Sequence, residues 1–439
     1  MTGRVARLPR TLLTACLLWP VQSVADPLPA PLTLQAALAA AATHPSVELG
    51  QAELALEQAE ADSVRARNDL EIGAALAARA IEPPERALDQ RHNDSRALIY
   101  ARKRLYDFGH TRALETAADA SVQGAELRAG MSNTRHRLDV IEAFFDVLLA
   151  DLEFARDNEA MAVAYVQADR SRDRNELGQM SDVVLMQRET EYQRYRMQRL
   201  RSQARQRSTR ARLAQLLDRP DELSADLMRP DLSSNDVALP EYEALVAAAL
   251  ENNPGLRALR ADLEAARQQL AAARTARRPV LSGEFSAGEY QREISSSNPA
   301  EAELRVEIPL YDGQRSDAGT ARAQADVYRL NGELRQQELN LRQQLLELSL
   351  EIETLLAQRE QVSVFRQSRQ LNFDLAQAEY EMQLKTDFGH ALVGQSESAL
   401  LDAETEFSLA LKRAWLAALT GLPLSPYMTS TAADNEGES

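Results

Sequence analysis

Five histidines, His44, His92, His110, His136 and His390, are the only imidazoles in the 439 residues. No two of them stand at a metal-ligand spacing such as H-x-x-x-H. Gly394-Gln395-Ser396-Glu397-Ser398 lacks the second glycine of a nucleophile elbow, and no glycine-rich phosphate loop occurs. The single cysteine, Cys16, lies at the extreme N-terminal end, so no thiol metal site is expected in the rest of the chain. Neither an enzyme nor a cofactor is expected. The chemistry left to this sequence is that of charge. Asp182 and Asp387 each follow a break between helical stretches, with Arg174, Tyr380 and Lys385 nearby. Asp182 reads equally well as a helix cap. The run Arg194, Arg196, Arg199, Arg201, Arg205, Arg207, Arg210 and Arg212 resembles a nucleic-acid patch. It spreads around its helix and has no second copy, so an ion-paired or solvated face is expected instead.

The overall charge agrees. Residues 1–25 have the form of a secretory signal: Arg4, Arg7 and Arg10, an apolar stretch from Leu12 to Trp19, then Ser23-Val24-Ala25. Leu13-Thr14-Ala15-Cys16 also resembles a lipoprotein cleavage box. Removal of residues 1–25 leaves 47 basic against 66 acidic side chains, a net charge of −19. That balance disfavours nucleic acid as a partner. No later stretch is apolar for the roughly 18 residues a membrane helix needs, so any membrane role must use strands.

The elements that position these residues occur twice. Leu105-Tyr106-Asp107-Phe108-Gly109 and Leu310-Tyr311-Asp312-Gly313 each follow an alternating, strand-like segment and open a long run almost free of Gly and Pro. His44-Pro45 and Asn253-Pro254 start shorter helices, proline being tolerated at a first helical position. Pro45 aligns with Pro254 and Leu105 with Leu310, at offsets of 209 and 205 residues. A duplication follows. The first repeat is expected over 26–218, with strands near 70–79 and 97–106. A linker covers 219–240, the second repeat 241–422 with strands near 280–290 and 303–311, and a disordered acidic tail 423–439.

Each repeat holds one helix of about 65 residues, or about 98 Å, and two shorter ones that together nearly match it. The long helix is therefore expected to run from the hairpin end to a turn, with the chain returning in two stacked pieces. The first turn is Leu177-Gly178-Gln179-Met180-Ser181-Asp182 and the second falls at Lys385 to Gly389. Four strands of about ten residues suit a transmembrane barrel. Four cannot close one, since the smallest have about eight, and open edges cannot face lipid. The strands must then be shared between protomers. Tyr106, Phe108, Tyr290 and Tyr311 stand at strand ends, as interface anchors do. Lys103 falls on the face of Ala97, Ile99, Ala101 and Leu105, expected to meet lipid.

The duplicated order, the Leu-Tyr-Asp-Gly junctions, the His-Pro and Asn-Pro starts and the Gly178…Ser181-Asp182 turn together resemble the TolC family of outer-membrane efflux and secretion channels, over roughly residues 32–422. The resemblance implies a mainly α fold with a small β part. Two duplicated helical hairpins and two β-hairpins would contribute four strands to a trimeric, twelve-stranded outer-membrane barrel, continued by helices through the periplasm. It implies a passive exit duct of a tripartite efflux or type I secretion system, with a periplasmic adaptor and an inner-membrane pump as partners. Adaptor docking would fall on Leu177, Gly178 and Ser181 and on Leu384, Lys385 and Thr386. Asp182 and Asp387 would form carboxylate rings at a narrow entrance, with Arg174, Tyr380 and Lys385 as gate partners. Gly178 reads also as a plain turn residue. The second turn departs from the family, having Gln383-Leu384-Lys385 where a glycine is usual and no aspartates over 389–393. The rival reading is a soluble periplasmic coiled-coil scaffold or adaptor. Its helices would look the same, but two strand pairs would have no role.

Overall fold

The computed structural model describes residues 28–220, 226–292, 298–382 and 388–422. The leader, the tail and the second turn, with Leu384, Lys385, Thr386 and Asp387, lie outside the described residues.

The order of elements repeats. A short helix α1 (Leu34–Ala40) and a 3-10 turn lead to α2 (Pro45–Ala66), strands β1 (Glu71–Ala77) and β2 (Arg96–Tyr106), the long α3 (His110–Glu176) and the returning α4 (Asp182–Leu216). After the connecting segment come α5 (Tyr242–Asn252), α6 (Pro254–Thr275), β3 (Val280–Tyr290), β4 (Ala300–Glu307), α7 (Arg315–Glu381) and α8 (Phe388–Thr420). Helices α3 and α7 both have 67 residues. They are matched by α2 and α4 with 22 and 35, and by α6 and α8 with 22 and 33.

Local chemistry explains the starts. His44 and Asn253 cap α2 and α6: Ser46 N–H donates to His44 Nδ1 at 3.2 Å and Leu256 N–H to Asn253 Oδ1 at 3.0 Å. Each cap precedes a proline whose missing N–H costs nothing there. The repeated junction works the same way on both long helices. Thr111 N–H donates to Asp107 Oδ2 at 2.9 Å and Ser316 N–H to Asp312 Oδ2 at 3.0 Å, and both hydroxyls bond the same oxygens. The conserved-looking Asp of the two motifs is therefore a helix-start acceptor, satisfying N–H groups that have no partner within the helix.

Helix α3 occupies the middle of the bundle. It packs on α2 and α6 along its first half and on α4 and α8 along its second, while α7 packs on α6 and α8. The result is a wall one helix thick, with α2 and α4 along one edge and α7 along the other. Its main core lies halfway down, at a belt. Leu138, Ile141, Phe144 and Phe145 of α3 meet Leu32, Leu34, Leu213, Leu217 and Phe407 there, with the Phe145 and Phe407 rings stacked at 4.6 Å. A second cluster joins Leu245 and Val246 of α5 to Leu341 and Leu345 of α7 and Leu409 and Leu416 of α8. Residues of the connecting segment close the belt: Leu32 pairs with Leu227, and Asn235, fully buried, donates to Glu406.

Strand β4 is displaced from the expected 303–311: it starts at Ala300, earlier than the alternation of Leu304, Val306, Ile308 and Leu310 predicts. It ends at Glu307. Pro309 has no N–H for a ladder, so Ile308 and Leu310 fall in the connection to α7, and Leu310 is almost wholly exposed. β1 is shorter than expected, covering 71–77.

Candidate functional site: a two-faced sheet and a helix-turn tip

The four strands form one antiparallel sheet in the order β1-β2-β3-β4. Register places residues directly across from one another on a shared face. One face carries Glu71, Tyr100, Arg102, Ser282, Glu284, Ser286, Glu301, Glu303 and Arg305. The other carries Ile72, Ala74, Leu76, Ala97, Ile99, Ala101, Phe285, Ala287, Ala302, Leu304 and Val306. Nothing among the described residues covers this apolar side: Leu76 is 84% exposed and Leu304 74%. An uncovered apolar sheet face of this extent marks a contact with membrane or another protein.

Across the polar face runs one charged row. Glu71 stands opposite Arg102, Arg102 opposite Glu284, and Glu284 opposite Glu303. Arg102 Nε donates to Glu284 Oε2 at 3.1 Å, and its Nη1 lies 3.9 Å from Glu71. Arg305, one step along β4, donates to Glu303 at 2.7 Å. Sequence alone misses this row because it depends on strand register. Alternation within each strand shows only which face a residue takes.

The anchor residues divide between the sheet's two ends. Tyr106 and Phe108 lie at the helix end with rings 4.8 Å apart. A bulge between Arg104 and Tyr106 shifts the register and sets Tyr106 opposite Leu281, on the apolar side. Tyr290 closes β3 at the loop end, opposite Arg96. Tyr311 lies beyond β4, exposed in the connection. Lys103 lies on the apolar face, opposite Gly283 near the helix end of the sheet.

At the far end of the wall α3 turns into α4. Gly178 takes the left-handed conformation, φ 70°. Its N–H bonds Asn175 O and that of Gln179 bonds Arg174 O, each at 2.8 Å, the double bond that ends a helix at such a residue. Ser181 caps α4. Asp182 accepts from Asn175 Nδ2 at 2.9 Å, and the same amide reaches Met180 O at 3.0 Å. Within one protomer the structure thus joins Asp182 to Asn175. Arg174 and Leu177 are exposed, and among the described residues no ion pair links Arg174 to Asp182. Tyr380 sits elsewhere, beside Phe388 at 5.7 Å, with Phe373 on the same ring at 5.3 Å. Sequence analysis missed Asn175, Phe388 and the bond of 2.7 Å between Gln167 and His390 that ties α3 to α8 above the tip.

The arginine run is an ion-pair ladder. Arg205 meets Glu153, Arg210 meets Asp151 and Arg212 meets Asp146 and Glu142, at 2.7 to 3.4 Å. These ion pairs of Arg205, Arg210 and Arg212 hold α4 to α3.

Residues 245–386 match the sequence profile of the outer membrane efflux protein family. No curated protein matches the chain. Among solved structures, the outer membrane protein VceC of Vibrio cholerae has a TM-score of 0.70 at 17% identity, over 89% of this chain and 96% of VceC. The CmeC outer membrane channel of Campylobacter jejuni gives 0.73 at 13%, covering 89% of this chain and 86% of CmeC. The open state of the MtrE outer membrane channel of Neisseria gonorrhoeae gives 0.65 at 14%, covering 89% of each. The family match rests on residues 245–386, and the fold is that of these outer membrane channels. Its mainly helical build with a small β part is the architecture of these channels. No helix among the described residues is long and apolar enough to cross a membrane.

Proposed function

We propose that three copies of this efflux protein join their sheets into one twelve-stranded outer-membrane barrel, continued by the helical walls as a periplasmic tunnel. The duct is passive and performs no catalysis. An inner-membrane pump and a periplasmic adaptor, in a tripartite efflux or type I secretion system, supply energy and selection.

The observation that carries this reading is the sheet. It is antiparallel throughout, so β1 and β4 run in opposite directions with unpaired outer edges. β4 of one copy is therefore oriented to pair antiparallel with β1 of the next. Lipid does not tolerate unpaired edges, and one four-stranded sheet falls short of the smallest barrels. Closure puts the charged row in the lumen and the apolar face in lipid. The helical edges support the same assembly. Along α7, Leu339, Leu346, Leu350, Val364, Leu371 and Leu375 recur at coiled-coil spacing and are all exposed. The opposite edge exposes Leu49 and Leu56 of α2 and Met197 and Leu200 of α4. A soluble scaffold would leave both stripes and the apolar sheet face without a partner.

At the tip, Leu177, Gly178 and Ser181, with Leu384, Lys385 and Thr386, form the adaptor contact in this reading. Asp182 and Asp387 ring the entrance, and Arg174 and Tyr380 of neighbouring copies act as gate partners. The test is light scattering coupled to size exclusion on protein purified in mild detergent from the outer-membrane fraction. A protein mass of three protomers is expected. A soluble periplasmic monomer would overturn the reading.

A further inference from the structure

The two repeats each contain a joint, where a returning helix ends and a shorter helix starts beside the middle of α3. At the first joint, the His44 and His136 rings stack at 4.1 Å and fill the space. At the second, the end of α8 and the start of α6 leave a cavity of about 760 Å³ against α3. Its walls include Arg135, Arg137, Arg257, Asn252, Asn253 and Trp415, with Leu138 and Leu419 among the apolar parts. No Asp or Glu lines it, in a chain whose formal net charge is −16.

The arginines are not equally engaged. Arg135 pairs with Asp139 at 3.3 Å and lies over the Trp415 ring at 4.6 Å. Among the described residues Arg137 and Arg257 have no carboxylate partner, and the buried Arg137 Nε has no acceptor. A buried donor without an acceptor is costly. Arg137 and Arg257 line the same cavity, and each guanidinium offers a planar fork of donors that suits a carboxylate. Pockets of this size hold ligands of several hundred Å³ with a few convergent polar groups on apolar walls.

We propose that this cavity is a binding site for a small organic anion, with its carboxylate on Arg137 and Arg257 and its apolar or aromatic body against Trp415 and Leu419. Asn252 and Asn133, both exposed at the rim, donate to further oxygens. The site lies at the belt, away from the strands and from the turn, and does not depend on whether the assembly conducts.

The cavity carries its own reporter. The sequence has two tryptophans, Trp19 in the signal-like segment and Trp415. The probe is 4-nitrobenzoate, an aromatic carboxylate that quenches indole fluorescence, added to the detergent-purified full assembly processed to lack residues 1–25. Its uncharged isostere 4-nitrobenzamide is the control. Saturable quenching by the benzoate and only linear collisional quenching by the amide is expected. Arg137→Gln and Arg257→Gln each weaken the benzoate by about tenfold, the scale of one charge-assisted hydrogen-bond pair, while Arg257→Lys keeps the charge without the fork and restores only part of the affinity. Arg135→Gln removes the stacked cation and shifts the emission of Trp415 in the absence of any ligand. Helical circular dichroism and melting temperature, measured alongside, identify a variant that fails to fold, and Arg257, exposed at the rim, supplies the variant that keeps the fold. Equal, unsaturable quenching by both probes, or benzoate binding unaltered in Arg137→Gln and Arg257→Gln, would overturn the proposal.

Discussion

Helices α3 and α7 have the same length and start from the same aspartate-hydroxyl junction. Their surroundings differ. α3 is enclosed on both sides, and Leu138, Val140, Phe144 and Val147 are all but inaccessible. α7 has partners on one side and leaves a stripe of Leu and Val bare on the other. A duplication would ordinarily give two equivalent helices. Here one copy became the centre of the protomer and the other its edge, and under the proposed assembly that edge meets the next copy. The joints diverged alongside. The first is sealed by stacked imidazoles, and the second by Asn253, whose amide also donates to Leu419 O at 2.9 Å beside the open cavity.

The strongest way to break this comparison is to charge the bare stripe. Leu346→Glu with Leu371→Glu is expected to abolish assembly, seen as loss of the three-protomer mass, with helical circular dichroism retained. Retention of the assembly would mean that α7 is not an interface. Truncating the enclosed helix acts differently. Phe144→Ala empties a fully buried site and is expected to cost about 3–5 kcal/mol, read as a lowered midpoint in denaturant, without selective dissociation.

The joints differ in their response to acid. Burial holds His136 below the ordinary histidine value of 6.5, and the neighbouring His44 ring pushes the same way while Asp139 opposes. The folded chain keeps this ring neutral and the unfolded chain protonates it. Its contribution to stability is therefore full above about pH 6.5 and is lost as pH falls below that. His136→Gln should flatten the fall in melting temperature below about pH 6.5, and Asn253→Ala should lower the melting temperature equally above and below that pH. A stability loss in His136→Gln with unchanged pH dependence would contradict the buried-imidazole account.

The smallest effect separates the two junctions. At Asp107, burial works against the charged form. Hydrogen bonds from Thr111, then Arg104 and His110, outweigh it and bring the carboxyl below its usual range. Asp312 is lowered chiefly by the Ser316 hydroxyl, with Arg277 adding. Both contributions are present above about pH 4 and are lost as pH falls through the lowered folded values. Asp107→Ala is expected to cost about 1 kcal/mol, and Asp312→Ala less, because solvent competes at that junction. Hydrogen exchange at Thr111 and Ser316 reads each separately.

Much of this fold was legible from residue order. Scarce glycine and proline delimit the long helices, His-Pro and Asn-Pro start the short ones, and Gly178 ends one. The junction role of Asp107 and Asp312 was also available, since each stands four residues before a Thr or Ser. What escaped depends on register or on distant segments. Pro309 interrupts an alternation that otherwise continues to Leu310. The row Glu71, Arg102, Glu284 and Glu303 exists only once four strands are aligned. The cavity draws on stretches near 135, 255 and 420, which no local pattern brings together. Residues 177–182 are legible as a turn, but the bond from Asn175 to Asp182 appears only once the turn has brought the two helix ends together.

The most direct test of the channel reading is conductance. The purified full-length assembly, processed to lack residues 1–25, is added to a planar lipid bilayer and single-channel current is recorded. Discrete, stable steps are expected, with a cation-to-anion permeability ratio that changes when Arg102→Gln alters the charged row. A protein that inserts without steps, or steps whose selectivity ignores Arg102, would contradict a lumen lined by the polar face of this sheet.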